Sequence, residues 1–220
     1  MEPPIEPRSL TRPRPAPTLR PMARRRTIPQ LDLLANREDR RPDLIPTPPL
    51  ARHAACARVV ERIRRARTFF PELDGIPIRV GLTRAAAGFA ARDEFTVWMN
   101  PSGLTLHTVA HELTHLLQNL GQVPRGEKSA DLFALARHRT LVDEMPCYLR
   151  VPRSMGSAWP HRREEIERLL HRTAKDAAVQ RDAGHRTYLR WFEDELADRW
   201  QRCSAPAPTS LSSAVQLGLI

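Results

Sequence analysis

Apolar residues recur every three to four positions in four stretches of the chain, which is the spacing of an amphipathic helix. These stretches are residues 51–70, 105–120, 127–139 and 161–201. Two shorter stretches between the first and second helices favour β-strands: residues 76–82, and residues 94–99, where apolar and polar positions alternate. The predicted order is one helix, a small sheet and then three helices, which indicates an α+β domain.

Both ends of the chain differ in composition from this central part. Residues 1–50 hold 12 of the 21 prolines, and the first aromatic residue of the chain is Phe69. A segment with so little apolar surface to bury cannot offset the entropy that it loses on folding. We therefore expect a disordered Pro/Arg-rich tail over residues 1–48, a folded domain over residues 49–202 and a flexible tail over residues 203–220.

Composition and charge narrow the class of protein further. The net charge is +10, but the arginines that dominate it are spread along the chain, so only a weak, salt-sensitive association with nucleic acid is expected. Cys56, Cys147 and Cys203 are far apart and form no CxxC pair, which argues against a disulfide framework and a cysteine-rich metal site. No secretory leader pattern or apolar run of about 18 residues is present, so the expectation is a cytoplasmic protein without a membrane anchor.

The segment with the clearest chemistry is HTVAHELTHLLQ, residues 107–118. On a helix, His111 and His115 lie one turn apart on the same face, so two imidazoles can bind one tetrahedral Zn²⁺. Glu112 is placed beside the metal, where its carboxylate can take a proton from metal-bound water. With eight histidines and 14 glutamates in the chain, about 0.02 HExxH matches are expected by chance.

A catalytic zinc ion usually has three protein ligands, and the next helix offers two candidates for the third. Glu127 and Asp131 are four residues apart and share one helix face. Glu127 can approach the two histidines across the short loop, while Asp131 accepts the free N–H of His111. In the competing arrangement Asp131 is the ligand. A further alternative is that the two acids have no role in metal binding and lie in the first turn of the helix only because a negative charge there interacts favourably with the helix dipole.

The HELTH motif, followed after a short loop by GEKSAD, resembles the gluzincin branch of the zincin metallopeptidases, and the compact minigluzincin type in particular. The resemblance covers roughly residues 76–140, and the spacing is short, since only eleven residues separate His115 from Glu127. It implies a small zincin-like domain with a short mixed or antiparallel sheet, an active-site helix and a helical C-terminal part. Such an enzyme cleaves a peptide or protein substrate.

The resemblance also implies a role for each residue of the motif. His111, His115 and Glu127 would hold Zn²⁺, Glu112 would be the catalytic base, and Asp131 would orient His111. Zincins commonly use a Tyr or His to stabilise the oxyanion, and Tyr148 is the candidate here. The strand over residues 94–99 takes the place of the sheet edge that pairs with an extended substrate in zincins, although an ordinary half-buried strand fits its pattern equally well.

Two other interpretations belong to different functional classes. SprT-like proteases of DNA–protein crosslinks also use HExxH, with a third histidine downstream; His138 is the candidate, but it falls near the end of the second helix. Alternatively, the chain is a zinc-containing module of zincin fold that binds or regulates a protein or nucleic acid. His107, one turn before His111, is a further but less favoured ligand candidate. A binding module would keep its partner after Glu112→Gln, whereas a peptidase would lose turnover and keep zinc.

Overall fold

A computed structural model of the chain describes residues 43–91 and 94–204. These residues form four short strands and six α-helices. The strands are β1 (Leu44–Pro46), β2 (Ile78–Leu82), β3 (Gly88–Ala91) and β4 (Thr96–Met99). The helices are α1 (Pro48–Ala51), α2 (Cys56–Arg67), α3 (Leu106–Asn119), α4 (Glu127–Arg137), α5 (Arg153–Asp182) and α6 (Tyr188–Ser204). The α+β class predicted from the hydrophobic pattern is confirmed.

The sheet is mixed, with the strand order β1-β2-β4-β3. β1, β2 and β4 run parallel to one another, and β3 pairs antiparallel with β4. Because β4 is paired on both sides, the interpretation of this strand as an exposed sheet edge is wrong, and the alternative of an ordinary strand within the sheet holds. The edge beyond it is β3, which the sequence pattern does not reveal. Its sequence, GFAA, lacks the β-branched residues that mark strands, and pairing with β4 provides the ladder instead.

Two apolar clusters hold these elements together, and α4 lies between them. The first joins the sheet to α2 and α3 and includes Ile63, Val80, Val97 and Leu113, all of them buried. The second joins α4, α5 and α6. Phe133 on α4 packs against both clusters. The position of α4 relative to α3, on which the site described below depends, is therefore fixed by packing on two sides.

The folded region begins before the predicted boundary at residue 49. Leu44–Pro46 is β1, hydrogen-bonded in register to β2, so these residues belong to the sheet. Residues 1–42 of the predicted N-terminal tail lie outside the described residues, as do residues 205–220 of the predicted C-terminal tail. Among the described residues, no helix combines the length and apolar character needed to cross a bilayer.

The start of α3 is held by side chains from two parts of the chain. Thr105 caps the helix, and its Oγ1 accepts the Thr108 N–H at 3.0 Å. Asp143, from the segment after α4, adds its carboxylate: Oδ2 accepts the Leu106 N–H at 2.8 Å and Oδ1 accepts the His107 N–H at 2.9 Å. A negative charge at this end also complements the helix dipole. The same contacts tie the segment after α4 to α3.

We expect Asp143→Ala to lower the free energy of unfolding by about 1–2 kcal/mol, because two N–H groups at the helix start lose their acceptor. Urea unfolding followed by circular dichroism measures this. The matched control is Asp194→Ala on α6, whose side chain is 72% exposed and pairs only with Arg190 across one helical turn. That change should cost less than about 0.5 kcal/mol. Equal effects of the two substitutions would contradict the capping role of Asp143.

Candidate metal centre

Helix α3 presents two histidines to one cavity while its other side is anchored in the core. Leu113, Leu116 and Leu117 are completely buried in the cluster against the sheet and α2. His111 and His115 lie one turn apart, with ring centroids 4.7 Å apart and ring planes nearly perpendicular. His111 is buried and His115 is partly exposed at the cavity wall. The period of the apolar residues thus decides which way both imidazoles face.

Glu127, the first residue of α4, completes a triangle with these two rings. The Nε2 atoms of His111 and His115 are 3.1 Å apart, and Glu127 Oε2 lies 3.0 Å from the first and 3.1 Å from the second. The loop before Glu127 reaches this position because Gly121 ends α3 and Gly126 begins α4, both with positive φ, at 71° and 109°. Three potential ligand atoms, from two helices, therefore meet at one point.

The Nδ1 atom of each histidine ring donates a hydrogen bond to a neighbouring side chain. His111 Nδ1 donates to Asp131 Oδ1 at 2.7 Å, and His115 Nδ1 donates to Gln118 Oε1 at 2.8 Å. With the Nδ1 atoms bonded in this way, both rings turn Nε2 toward Glu127 Oε2. Burial alone would lower the pKa of His111, but its hydrogen bond to Asp131 and the nearby carboxylates raise that pKa above the ordinary value. The acids around these rings therefore favour a positive charge at this point, either a proton or a metal ion.

These three atoms fit a divalent metal ion. Donors at tetrahedral positions about 2.0–2.1 Å from an ion lie roughly 3.3 Å apart, close to the sides of the observed triangle. Two imidazoles and one carboxylate, with one direction left open to a cavity, are a ligand set found in catalytic zinc sites, whereas structural zinc sites usually have four protein ligands. In the described part of the chain, His111, His115 and Glu127 form the one such group.

Asp131 is the centre of a polar network behind His111, His115 and Glu127, which are together called the metal group below. Its Oδ1 accepts from His111 and lies 3.3 Å from Nε2 of the buried His107, while its Oδ2 accepts the Tyr148 N–H at 2.7 Å. Burial alone would raise the pKa of Asp131, but its contacts with His107 and His111 hold that pKa well below the ordinary value. Asp131 therefore remains a carboxylate. It lies on the Nδ1 side of His111, away from the three atoms that could hold a metal ion. His107 contacts Asp131 and none of those three atoms.

Glu112 lies at the inner wall of the same cavity. Burial raises its pKa to about 7. The negative charges of Glu127 and Asp131 also raise this pKa, whereas the positive charge of His111 lowers it. Its Oε2 is buried without a hydrogen-bond partner among the described residues. A carboxylate with a pKa near neutrality and a free oxygen beside a metal group can both accept and return a proton.

Strand β3 passes directly over Glu112. A Cβ at Gly88 would lie 3.0 Å from Glu112 Cγ and 3.1 Å from its Oε1, so only glycine leaves the carboxyl group its present position. Gly88, Phe89 and Ala90 form one wall of a cavity of about 410 Å³, and His111, Glu112 and Glu127 line it as well. The exposed edge of the sheet thus borders the metal group.

Tyr148 also lines this cavity, with its ring stacked on His111 at a centroid distance of 5.4 Å. Burial, together with the charges of Glu127 and Asp131, raises the pKa of its hydroxyl above the usual value. The hydroxyl therefore stays protonated at neutral pH and can donate a hydrogen bond. His138 is elsewhere: it stacks on Phe69 and caps the turn after α4.

Five of the residues that line the cavity were predicted from the sequence, but Gln118, Gly88 and Arg125 were not. Gln118, which orients His115, is three positions along α3 and could have been found from that spacing. Gly88 gave no signal, because its role depends on how β3 passes Glu112. Arg125, in the loop before α4, also lines the cavity, and a loop residue has no periodicity that would indicate where its side chain lies.

Comparisons with protein-family models, with curated proteins and with solved structures give no significant match for this chain.

The geometry predicts that the two acids of α4 affect metal binding very differently. Glu127→Ala removes one of three ligands and should nearly abolish binding of a divalent metal ion. Asp131→Asn leaves the ligands in place but weakens the orientation of His111, which should lower affinity by about 10–100-fold. Competition with a chromogenic chelator at one pH measures both affinities. The opposite rank order would show that Asp131 binds the metal and Glu127 does not.

Proposed function

We propose that this protein is a zinc-dependent metallopeptidase of zincin fold, related in its site to the gluzincins. One observation carries the proposal: three potential ligand atoms, from His111, His115 and Glu127, meet beside a buried Glu112 in an open cavity. Support for the fold comes from the order of elements, in which a small mixed sheet precedes a helix with HExxH and a second helix that begins with the third ligand.

Zinc is the metal that suits this ligand set best. Imidazole nitrogen is a preferred ligand of zinc, and two His with one Glu is a set that zinc peptidases use. Asp131 accepts a hydrogen bond from His111, and Gln118 accepts one from His115, so each histidine has the partner that orients metal-bound imidazole. Magnesium and calcium, in contrast, prefer sites made of oxygen atoms alone.

The metal and two side chains of the cavity have different roles in peptide hydrolysis. A zinc ion, when bound, supplies Lewis-acid activation of water and of the substrate carbonyl. Glu112 takes a proton from the attacking water and then gives it to the leaving amine, a role that suits its pKa of about 7. Tyr148, protonated at neutral pH, donates a hydrogen bond to the oxygen on which negative charge develops.

The edge of β3 supplies a place for the substrate backbone. β3 pairs with β4 on one side, and its residues Gly88, Phe89 and Ala90 face the cavity. An extended peptide can add to such an edge through main-chain hydrogen bonds. The scissile bond would then lie close to Glu112, because Gly88 passes directly over that side chain.

The roles of Glu112 predict a separation of metal binding from turnover. In Glu112→Gln the three ligands are unchanged, so zinc affinity should stay within a few-fold of the wild type. Without a proton acceptor, kcat should fall by about 10²–10⁴-fold. Cleavage of a denatured protein such as casein, followed by mass spectrometry, measures turnover. Glu61→Gln, on the exposed surface of α2, is the matched control and should leave kcat unchanged. If Glu112→Gln retains activity, Glu112 is not the base.

Gly88 gives a test that does not alter any charged group. Gly88→Ala places a methyl group against the Glu112 carboxyl, which must move by a few tenths of an ångström or more. A displacement of this size should lower kcat by about 10-fold or more, since small misplacements are costly in catalysis. Zinc affinity should not change. Gly156→Ala on α5, where an added Cβ meets no atom within 4 Å, is the control. Unchanged kcat in Gly88→Ala would contradict the proposed position of Glu112.

A further inference from the structure

The loop between α3 and α4 is held in place by one side chain. Gln118 Nε2 donates to the carbonyl oxygens of Pro124 at 2.8 Å and of Gly126 at 3.0 Å, on either side of Arg125. The same Gln118 accepts the ring N–H of His115. The backbone of Arg125 is thereby fixed relative to a metal ligand, so the loop has a defined position at the cavity.

Arg125 extends from this fixed backbone into the wall of the cavity. It is an exposed residue, and among residues 43–91 and 94–204 it has no carboxylate within ion-pair distance and no hydrogen-bonding partner for its side chain. Most other arginines of the helices have such partners; for example, Arg137 binds Glu72 and Arg199 binds Glu195. A guanidinium group at a cavity wall is therefore left available for a ligand.

The charged groups around the cavity indicate which ligand the guanidinium group of Arg125 would bind. Glu112 and Glu127 line its wall, and Asp131 is a third carboxylate, behind His111. Among the described residues none of these acids forms an ion pair with Arg125, so its guanidinium group is open to a ligand. A guanidinium group forms its best hydrogen bonds with a carboxylate, because the two planar groups can pair through two parallel bonds.

We propose that Arg125 binds a carboxylate of the substrate, so that the enzyme prefers peptides with an acidic side chain within one or two residues of the bond that is cut. This inference rests on the proposed function, because it assumes that a peptide occupies the cavity. Arg125 is a specificity residue in this account and takes no part in bond cleavage. A free C-terminal carboxylate offers the same chemistry, and the experiment separates the two sources.

The first arm of the experiment measures binding and needs no turnover. The probes are three peptide hydroxamates of one length: one with Asp next to the hydroxamate and an amidated C-terminus, one with Asn and an amidated C-terminus, and one with Asn and a free C-terminus. Calorimetry with the zinc-loaded full chain should show the Asp peptide binding about tenfold more tightly than its Asn partner, the size expected of a charge-assisted hydrogen bond. A gain for the free C-terminus alone would assign the terminal carboxylate as the group recognised and overturn the preference for an acidic side chain.

Three variants show whether Arg125 causes the preference. Arg125→Gln should remove it, Arg125→Lys should retain part of it, and Arg125→Glu should reverse it toward a peptide with Lys in the same position. Arg190→Gln on α6, with a side chain 84% exposed and outside the cavity wall, removes the same charge and should leave the preference intact. A preference that survives in Arg125→Gln, or no preference in the wild type, overturns the inference.

The second arm measures cleavage and keeps the two proposals apart. A library of peptides from a proteome is digested by the wild type and by Arg125→Gln, and cleavage sites are identified by mass spectrometry. Enrichment of Asp and Glu near the cleaved bond in the wild type, lost in the variant, supports the inference. Cleavage without that enrichment overturns it and leaves the peptidase proposal standing. A chain that shows the carboxylate preference in binding but cleaves no peptide contradicts the peptidase proposal alone.

Discussion

The convergence of two imidazole nitrogens and one carboxylate oxygen on a single point is the feature from which the rest of the site follows. The hydrogen bonds from His111 to Asp131 and from His115 to Gln118 turn both Nε2 atoms toward Glu127 Oε2, so that the three atoms lie about 3 Å apart. Asp131, with its pKa held well below the ordinary value, does not give up its role as acceptor near neutral pH. A divalent cation between these atoms would have two imidazole ligands already oriented by their Nδ1 hydrogen bonds, and this supports a metal centre more strongly than the proximity of the residues alone.

The rest of the fold serves to keep these atoms together. The apolar stripe of α3 fixes the direction of both histidines, and α4, packed between two apolar clusters, brings Glu127 and Asp131 to them from the other side. Asp131 also accepts the Tyr148 N–H, and Asp143 binds the start of α3, so the segment that carries Tyr148 is joined to both helices. A change in the packing of α4 would therefore alter the position of Glu127, the hydrogen-bond acceptor of His111 and the position of Tyr148 together.

Local spacing accounts for what the sequence could predict, and distant pairing accounts for what it could not. His111, Glu112 and His115 share one helix, and Glu127 and Asp131 another, so helical geometry alone places them on common faces. Strand β3 and its Gly88 could not be predicted, since an alanine-rich segment becomes a strand only by pairing with β4. For the same reason the sequence did not decide whether residues 94–99 form an edge strand; the strand at that edge is β3. Arg125 acquires its position from the bonds that Gln118 makes to the loop, which no periodic pattern records.

X-ray absorption at the zinc edge is the decisive measurement, because it reports the atoms around the metal. The full chain should bind one zinc ion, with two imidazole nitrogens and a carboxylate oxygen at about 2.0–2.1 Å and no sulfur. In His111→Ala and His115→Ala this signal should be lost. Sulfur ligands at about 2.3 Å, or an ion whose surroundings are unchanged in both variants, would contradict the account, because the metal would then be bound elsewhere.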